Sequence, residues 1–176
     1  MTKTSELTID SRSSESAVAK DRAGKYLTFR LDNEEYGLEI LKVREIIGLM
    51  NITSVPKTPE YVRGIINLRG SVIPVLELKK KFDMGETENT EETCVIVVEV
   101  ALDNKKVMMG IIVDAVSEVL DISEDEIEDA PAFGTHVNTR FILGIGKVRD
   151  EVKILLDIDE VLTAIDIAML EELGKK

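Results

Sequence analysis

Few of the 176 residues could carry chemistry. The single cysteine, Cys94, lies inside the apolar run TCVIVVEV, where a small core side chain fits. A reactive thiolate needs a basic or otherwise stabilising surround that the run does not offer. The single histidine, His136, sits in the polar loop GTHVNTR with no Ser, Cys or acid at a recognisable spacing, and reads as a surface residue. One Cys and one His exclude an internal disulfide framework and the usual Cys- or His-centred metal sites. GIGK at 144–147 lacks phosphate-loop spacing, and SEDEIED at 123–129 lacks the glycine and ligand positions of a calcium loop. No cofactor or metal is therefore expected. A small-ligand or enzymatic reading would have to be built on His136 and Cys94 alone. Arg69 is different. In NLRG it precedes a glycine at a turn between two very apolar segments. Its planar fork of donors suits either a partner's carboxylate or an internal role, pinning the turn to Glu77 or a carbonyl. Both readings stay open on the residues alone.

The elements that position these residues are mostly strands. Residues 1–24 are Ser/Thr-rich and without sustained periodicity, as a flexible tail would be. Order is expected from Lys25, where YLTFRL alternates with period two, Asp32–Asn33–Glu34 turns the chain, and EYGLEI returns. LKVREI (41–46) suits a short helical piece feeding a strand. PEYVRG suits one helical turn with proline at its start. GIINLRG and SVIPVLEL then form a hairpin, with Pro74 at an edge or bulge because it cannot donate a ladder hydrogen bond. After the acidic linker 83–92 the pattern restarts with TCVIVVEV, a turn at 103–105, VMMGIIVD and AVSEVLDI. RFILGIGKVRD and EVKILLDI make a last strand pair, and DEVLTAIDIAMLEEL closes as an amphipathic helix ending in 166–176.

The two halves repeat. At an offset of 80, NLRGSVIPVLEL lies on KVRDEVKILLDI, so that Arg69 faces Arg149 and Glu77 faces Asp157. At an offset of 73, VREI (43–46) lies on VSEV (116–119). Residues 25–82 and 93–165 thus read as two small subdomains of short bent strands. Each is marginal alone and gains a shared apolar seam by packing on the other. Short strands with regular turns favour closed or nearly closed barrels.

The net charge of −12 is unevenly spread: residues 1–24 sum to zero, 25–82 to +3 and 83–176 to −15. From Asp114 to Asp129 there are eight carboxylates and no Lys or Arg. That run reads as a solvated face, or else as a field steering a basic partner. With this balance and 4% aromatics, a nucleic-acid-binding barrel is not expected. No apolar run approaches the roughly 20 residues that span a bilayer, so a cytoplasmic protein is expected.

DNEEYGLEILKVREI, VRGIINLRGSVIPVLELKKKF, GIIVDAVSEVL and RFILGIGKVRDEVKILLDIDEVL, in this order, resemble the chemotaxis coupling protein family, CheW, over residues 25–165. The resemblance implies a mainly β fold of two SH3-like five-stranded β-barrel subdomains, whose strands can be exchanged between subdomains. It implies a non-catalytic adaptor, monomeric in isolation, that links methyl-accepting chemotaxis receptors to the regulatory domain of the histidine kinase CheA in membrane-associated arrays. The family's receptor- and kinase-sensitive positions carry over onto Val43, Glu45, Gly64, Arg69 and Val116. Val43 and Val116 are repeat equivalents, expected on either side of a groove between the subdomains that a helical receptor tip could occupy. Arg69 would donate to receptor carboxylates or hold the groove wall, and Glu45 could instead have a structural role.

Overall fold

The computed structural model describes residues 22–102, 104–131 and 139–161. Apolar alternation and turn chemistry produce hairpins wherever strands are adjacent in the chain. β1 (Gly24–Leu31) pairs antiparallel with β2 (Glu34–Glu39) across a turn at Asp32, whose φ of 57° is left-handed. β6 (Cys94–Leu102) and β7 (Lys105–Val113) repeat this arrangement, with Asn104 at φ 68°. A single 3-10 turn, Ile40–Lys42, leads into β3 (Val43–Gly48). β4 (Val62–Leu68) and β5 (Ser71–Glu77) form the next hairpin, followed by the one-turn helix α1 (Leu78–Lys81). In the second repeat, β8 (Ala115–Ile122) leads through the 3-10 turn Glu124–Glu126 into β9 (Ile127–Glu128). After the 3-10 turn Thr139–Phe141 come β10 (Ile142–Val148), β11 (Glu151–Leu156) and α2 (Ile158–Val161). At the offset of 80, β4, β5 and α1 coincide with β10, β11 and α2, and even the bulges match, Val62/Gly64 with Ile142/Gly144.

Two sheets result, β3-β6-β7-β5-β4 and β8-β1-β2-β11-β10-β9. Each draws strands from both sides of the 83–92 segment, so the break between the sequence repeats is not the break between the sheets. The first hairpins are exchanged: β6–β7 completes the barrel of β3, β4 and β5, while β1–β2 completes the barrel of β8 to β11. The exchanged hairpins dock through two short parallel pairings, Val75↔Gly110 to Glu77↔Ile112 and Lys153↔Glu35 to Leu156↔Leu38. Pro74 falls one residue before the first of these, where β5 is paired with β4 alone.

One large core cluster spans both repeats, from Leu27, Phe29, Leu31 and Leu38 to Val98, Ile111, Leu156 and Val161. Fully burying each such side chain stabilises the fold by about 1.5–3 kcal/mol. A smaller cluster, Tyr26, Leu120, Ile122, Ile127 and Leu155, fills the six-stranded barrel. Between the barrels runs a row of stacked rings, Phe29–Tyr36 at 5.9 Å, Tyr36–Phe82 at 6.4 Å and Phe82–Phe141 at 6.1 Å between centroids. Three of the chain's four phenylalanines are spent there.

The expected tail boundary changes, while the 83–92 loop and the PEYVRG turn gain detail. The ordered chain starts before Lys25, since Gly24 opens β1 and the Arg22 guanidinium bonds Asp129 at 2.8 Å and Glu124 at 3.2 Å. The acidic 83–92 segment carries no strand or helix but is anchored, with Thr87 buried and its amide donating to the Glu77 carboxylate at 2.5 Å. PEYVRG makes a single turn, closed by the Val62 amide donating to the Pro59 carbonyl at 3.0 Å. The closing helix is described only from Ile158 to Val161. Residues 1–21 of the expected tail and the helix end 166–176 lie outside the described residues.

Candidate functional site

Arg69 occupies the tip of the β4–β5 hairpin. Arg69 and Gly70 have φ of 52° and 90°, the two left-handed central residues of a type I′ turn, which matches the twist of the flanking strands. The Asn67 side chain accepts the Gly70 amide at 2.8 Å and fixes the turn. From this tip the Arg69 guanidinium reaches β3 and donates to both carboxylate oxygens of Glu45, to Oε1 at 2.7 Å. Arg69 and Glu45 are therefore one ion pair. Glu77, the partner weighed from the sequence, is instead buried against Arg63 at 3.0 Å. The Arg69 side chain remains 72% exposed and keeps donor capacity for another group. An exposed pair of this kind contributes about 0.2–1 kcal/mol to stability.

Val43 and Val116 lie at the two crossovers between the barrels. Val43 is the first residue of β3 and pairs with Val98; Val116 is the second of β8 and pairs with Phe29. Both are half-buried and pack against the shared core cluster. Each is followed by a bulged residue, Arg44 or Ser117, that the register skips. The bulge keeps Glu45 and Glu118 turned toward their hairpin tips while Val43 and Val116 face the seam.

Gly64 is elsewhere, inside β4 and buried, with φ at 144°. A Cβ there would stand 2.0 Å from the Thr53 carbonyl oxygen. Thr53 and Ile65 exchange two backbone hydrogen bonds of 2.9 Å at this crossing, which closes the five-stranded barrel. Gly64 is thus a point of backbone approach, and its side of the hairpin holds Arg69 in place from a distance.

Cys94 is buried, and that burial pushes its thiol pKa up although a hydrogen bond to the Val116 backbone works the other way. His136 lies outside the described residues. Two surface clefts, of about 300 and 280 Å³, are lined by Glu39, Leu41, Lys42, Arg44 and Glu99 and by Arg30, Asp32, Lys79 and the 86–93 loop. Neither includes Cys94 or any of the five nominated residues. What the arrangement offers is a pair of half-buried valines at the seam and an exposed arginine held by a carboxylate.

A family model described as the CheW-like domain matches residues 25–166. The chain belongs to the CheW family. It is 36% identical over 161 residues to the chemotaxis protein CheW of Klebsiella aerogenes, covering 91% of this chain and 95% of that one. It is 30% identical to CheW of Thermotoga maritima, over 80% of this chain and 89% of the relative. The crystal structure of the scaffolding protein TtCheW from Thermoanaerobacter tengcongensis superposes with a TM-score of 0.71 at 39% identity, covering 82% and 95% of the two chains. The two-barrel, SH3-like architecture is thus the CheW fold.

Within this CheW fold, several residues beside the nominated ones were not singled out from the sequence. Ile46 and Val119 are exposed apolar residues at equivalent places on β3 and β8. Glu118 pairs with Arg149 at 3.4 Å, the repeat counterpart of Glu45 with Arg69. The signal was available, because the offsets of 73 and 80 map one pair onto the other, but nothing local in the sequence says that the members touch.

Proposed function

We propose that this chain is a non-catalytic cytoplasmic adaptor that couples methyl-accepting chemotaxis receptors to the histidine kinase CheA. Membership of the CheW family supports the reading. The observation that carries it is the Arg69 guanidinium, presented on a rigid type I′ turn and steadied by Glu45, in a barrel whose seam strip begins at Val43. A receptor tip offering helical apolar residues and carboxylates fits such a surface. The protein is recruited to the membrane through its partners; among the described residues no helix is long and apolar enough to cross a bilayer. An enzymatic reading finds no support in Cys94, which is buried in the core and whose thiol pKa that burial raises.

The test is co-sedimentation and titration of the full chain with a receptor cytoplasmic fragment and with CheA. Both are expected to bind. Arg69→Glu is expected to weaken the receptor complex about tenfold, equivalent to about 1.4 kcal/mol, while the variant stays folded with a thermal midpoint lowered by only a few degrees through loss of the Glu45 pair. Absence of binding to either partner at tens of micromolar would falsify the adaptor reading.

A further inference from the structure

The two repeats build the same joints with opposite chemistry. The second residue of α1 is Lys79, and the second residue of α2, at the offset of 80, is Asp159. Each reaches two equivalent places. Lys79 lies 2.6 Å from Asp32, in the turn of the β1–β2 hairpin, and 3.7 Å from Asp114, the residue just before β8. The Asp32 amide also donates to Asp114 at 2.7 Å. Asp159 accepts the Ala101 amide at 3.0 Å, beside the turn of the β6–β7 hairpin, and lies 2.7 Å from Lys42, the residue just before β3. One latch is a cation held by two acids; the other is an acid held by a cation and an amide.

The parallel joints are matched in the same way. Gly37↔Leu155 and Gly110↔Val75 are equivalent pairings. Two residues earlier, Glu35 pairs with Lys153, which is buried with its ammonium 3.6 Å from Glu35 and 2.8 Å from Glu151. The corresponding positions of the other barrel are the apolar Met108 on β7 and the buried Ile73 on β5. Hairpin β1–β2 thus brings Glu35 to a barrel that holds a lysine, and hairpin β6–β7 brings Met108 to a barrel that holds an isoleucine.

We infer that these three matched sets select the exchange of the first hairpins, favouring the exchanged pairing and penalising the unexchanged one. With each hairpin returned to its own repeat, α1 would meet Lys42 and the β6–β7 turn, which Lys105 and Lys106 follow. In the same arrangement α2 would meet Asp32 and Asp114. Lys79 would then stand against lysines and Asp159 against aspartates. Lys153 would be buried on Met108 without Glu35, and Glu35 would be pressed onto Ile73. Like charges brought together and a buried charge losing its partner both cost free energy, and that cost falls on the wrong pairing alone. The consequence reaches the seam. Unexchanged repeats would be two self-contained barrels joined only through 83–92, and the chain would no longer cross between barrels on its way into β3 and β8.

The experiment uses the full chain in a transposed form, Lys79→Asp, Asp159→Lys, Ile73→Lys and Lys153→Ile, which keeps composition and net charge and leaves both hairpins untouched. A re-matched form adds the changes on the hairpin side, Asp32→Asn, Glu35→Met, Lys42→Asp, Met108→Glu and Asp114→Lys. Topology is read from NMR contacts between strand backbones. Gly37 and Leu38 face Leu155 and Leu156 in the exchanged fold, and would face Val75 and Leu76 in the unexchanged one. The transposed chain is expected to show the β5 contacts in a measurable fraction of molecules, with a urea midpoint lowered by about 1 M. The re-matched chain is expected to return to β11 contacts alone and to regain most of the midpoint. A transposed chain that folds with β11 contacts alone overturns the inference. So does a re-matched chain that stays unfolded, because the residues then act through packing at their own sites. Should the transposed chain fail to fold, the re-matched chain decides by itself.

Discussion

Single atoms decide how much the nominated residues contribute. Gly64 has no substitute, because any Cβ meets the Thr53 carbonyl oxygen at 2.0 Å and the φ of 144° is itself unfavourable for an L side chain. Gly64→Ala is expected to cost about 2–3 kcal/mol in denaturant unfolding. Gly70→Ala, where a Cβ meets nothing within 4 Å, is expected to cost about 1 kcal/mol from its left-handed backbone alone. A sensitivity of partner binding to Gly64 would then trace to barrel closure, whereas one at Arg69 would trace to contact. Tyr26 gives a second residue-scale prediction. Burial, reinforced by the Glu39 charge and opposed by Arg22, pushes its phenol up from the ordinary 10.0 to about 12. Between those two pH values the unfolded chain has released this proton and the folded chain keeps it. Stability therefore falls as pH rises through that window, by at most about 1.4 kcal/mol per pH unit. Tyr26→Phe is expected to remove that slope in urea midpoints measured across the window. A parallel slope in both proteins would show that Tyr26 is not its source.

At the scale of elements, most of the acidic run that stands out along the chain finds cations across it. Six of the eight carboxylates between Asp114 and Asp129 are met by cations from other elements. Lys79 serves Asp114, Arg149 serves Glu118, Lys25 serves Asp121, Arg22 serves Glu124 and Asp129, and Lys147 serves Glu128. Glu126 instead caps its own turn, accepting the Ser123 amide at 2.9 Å. The run is a set of pairing points for β1, β10 and α1 rather than an unopposed field. Lys79 on α1 is the most buried of these cations, 2.6 Å from Asp32 at the β1–β2 turn and 3.7 Å from Asp114 at the β7–β8 crossover. Burial presses its ammonium toward deprotonation, but the two carboxylates outweigh that and raise its pKa. Lys79→Met leaves both acids unmatched where two barrels join and is expected to cost about 1–2 kcal/mol, below the value for a fully buried pair because Asp32 is half in water. Recovery of the loss in the double variant with Asp114→Asn, measured by chemical unfolding, would place the cost in the carboxylate left without its cation; no recovery would place it in lost packing.

The whole molecule behaves as one unit because neither repeat owns a complete barrel. A chain cut within 83–92 would leave residues 25–82 with an exchanged hairpin and no sheet to receive it, and residues 93–165 likewise. Separately expressed halves are expected to show no cooperative unfolding, and to regain the native circular dichroism signal on mixing; independent folding of either half would contradict the exchange. The intact chain should unfold in one transition by far-ultraviolet and tyrosine signals alike. Antiparallel hairpins were readable from alternation and turn residues: β1–β2, β4–β5, β6–β7 and β10–β11 all lie where the patterns put them. The parallel joints β5–β7 and β2–β11 were not, because they link residues with more than 30 positions between them and leave no local mark.

The sequence by itself determined the hairpins, the internal repeat, the family and the arginine at a turn, since period-two burial, left-handed turn residues and a fixed offset are written in neighbouring positions. Tertiary structure alone decided which hairpin completes which barrel, that Arg69 takes Glu45 rather than Glu77, and that the acidic run meets its cations. Those outcomes depend on which distant surfaces bury apolar area together, and charges pair with whatever that burial brings within about 3–4 Å.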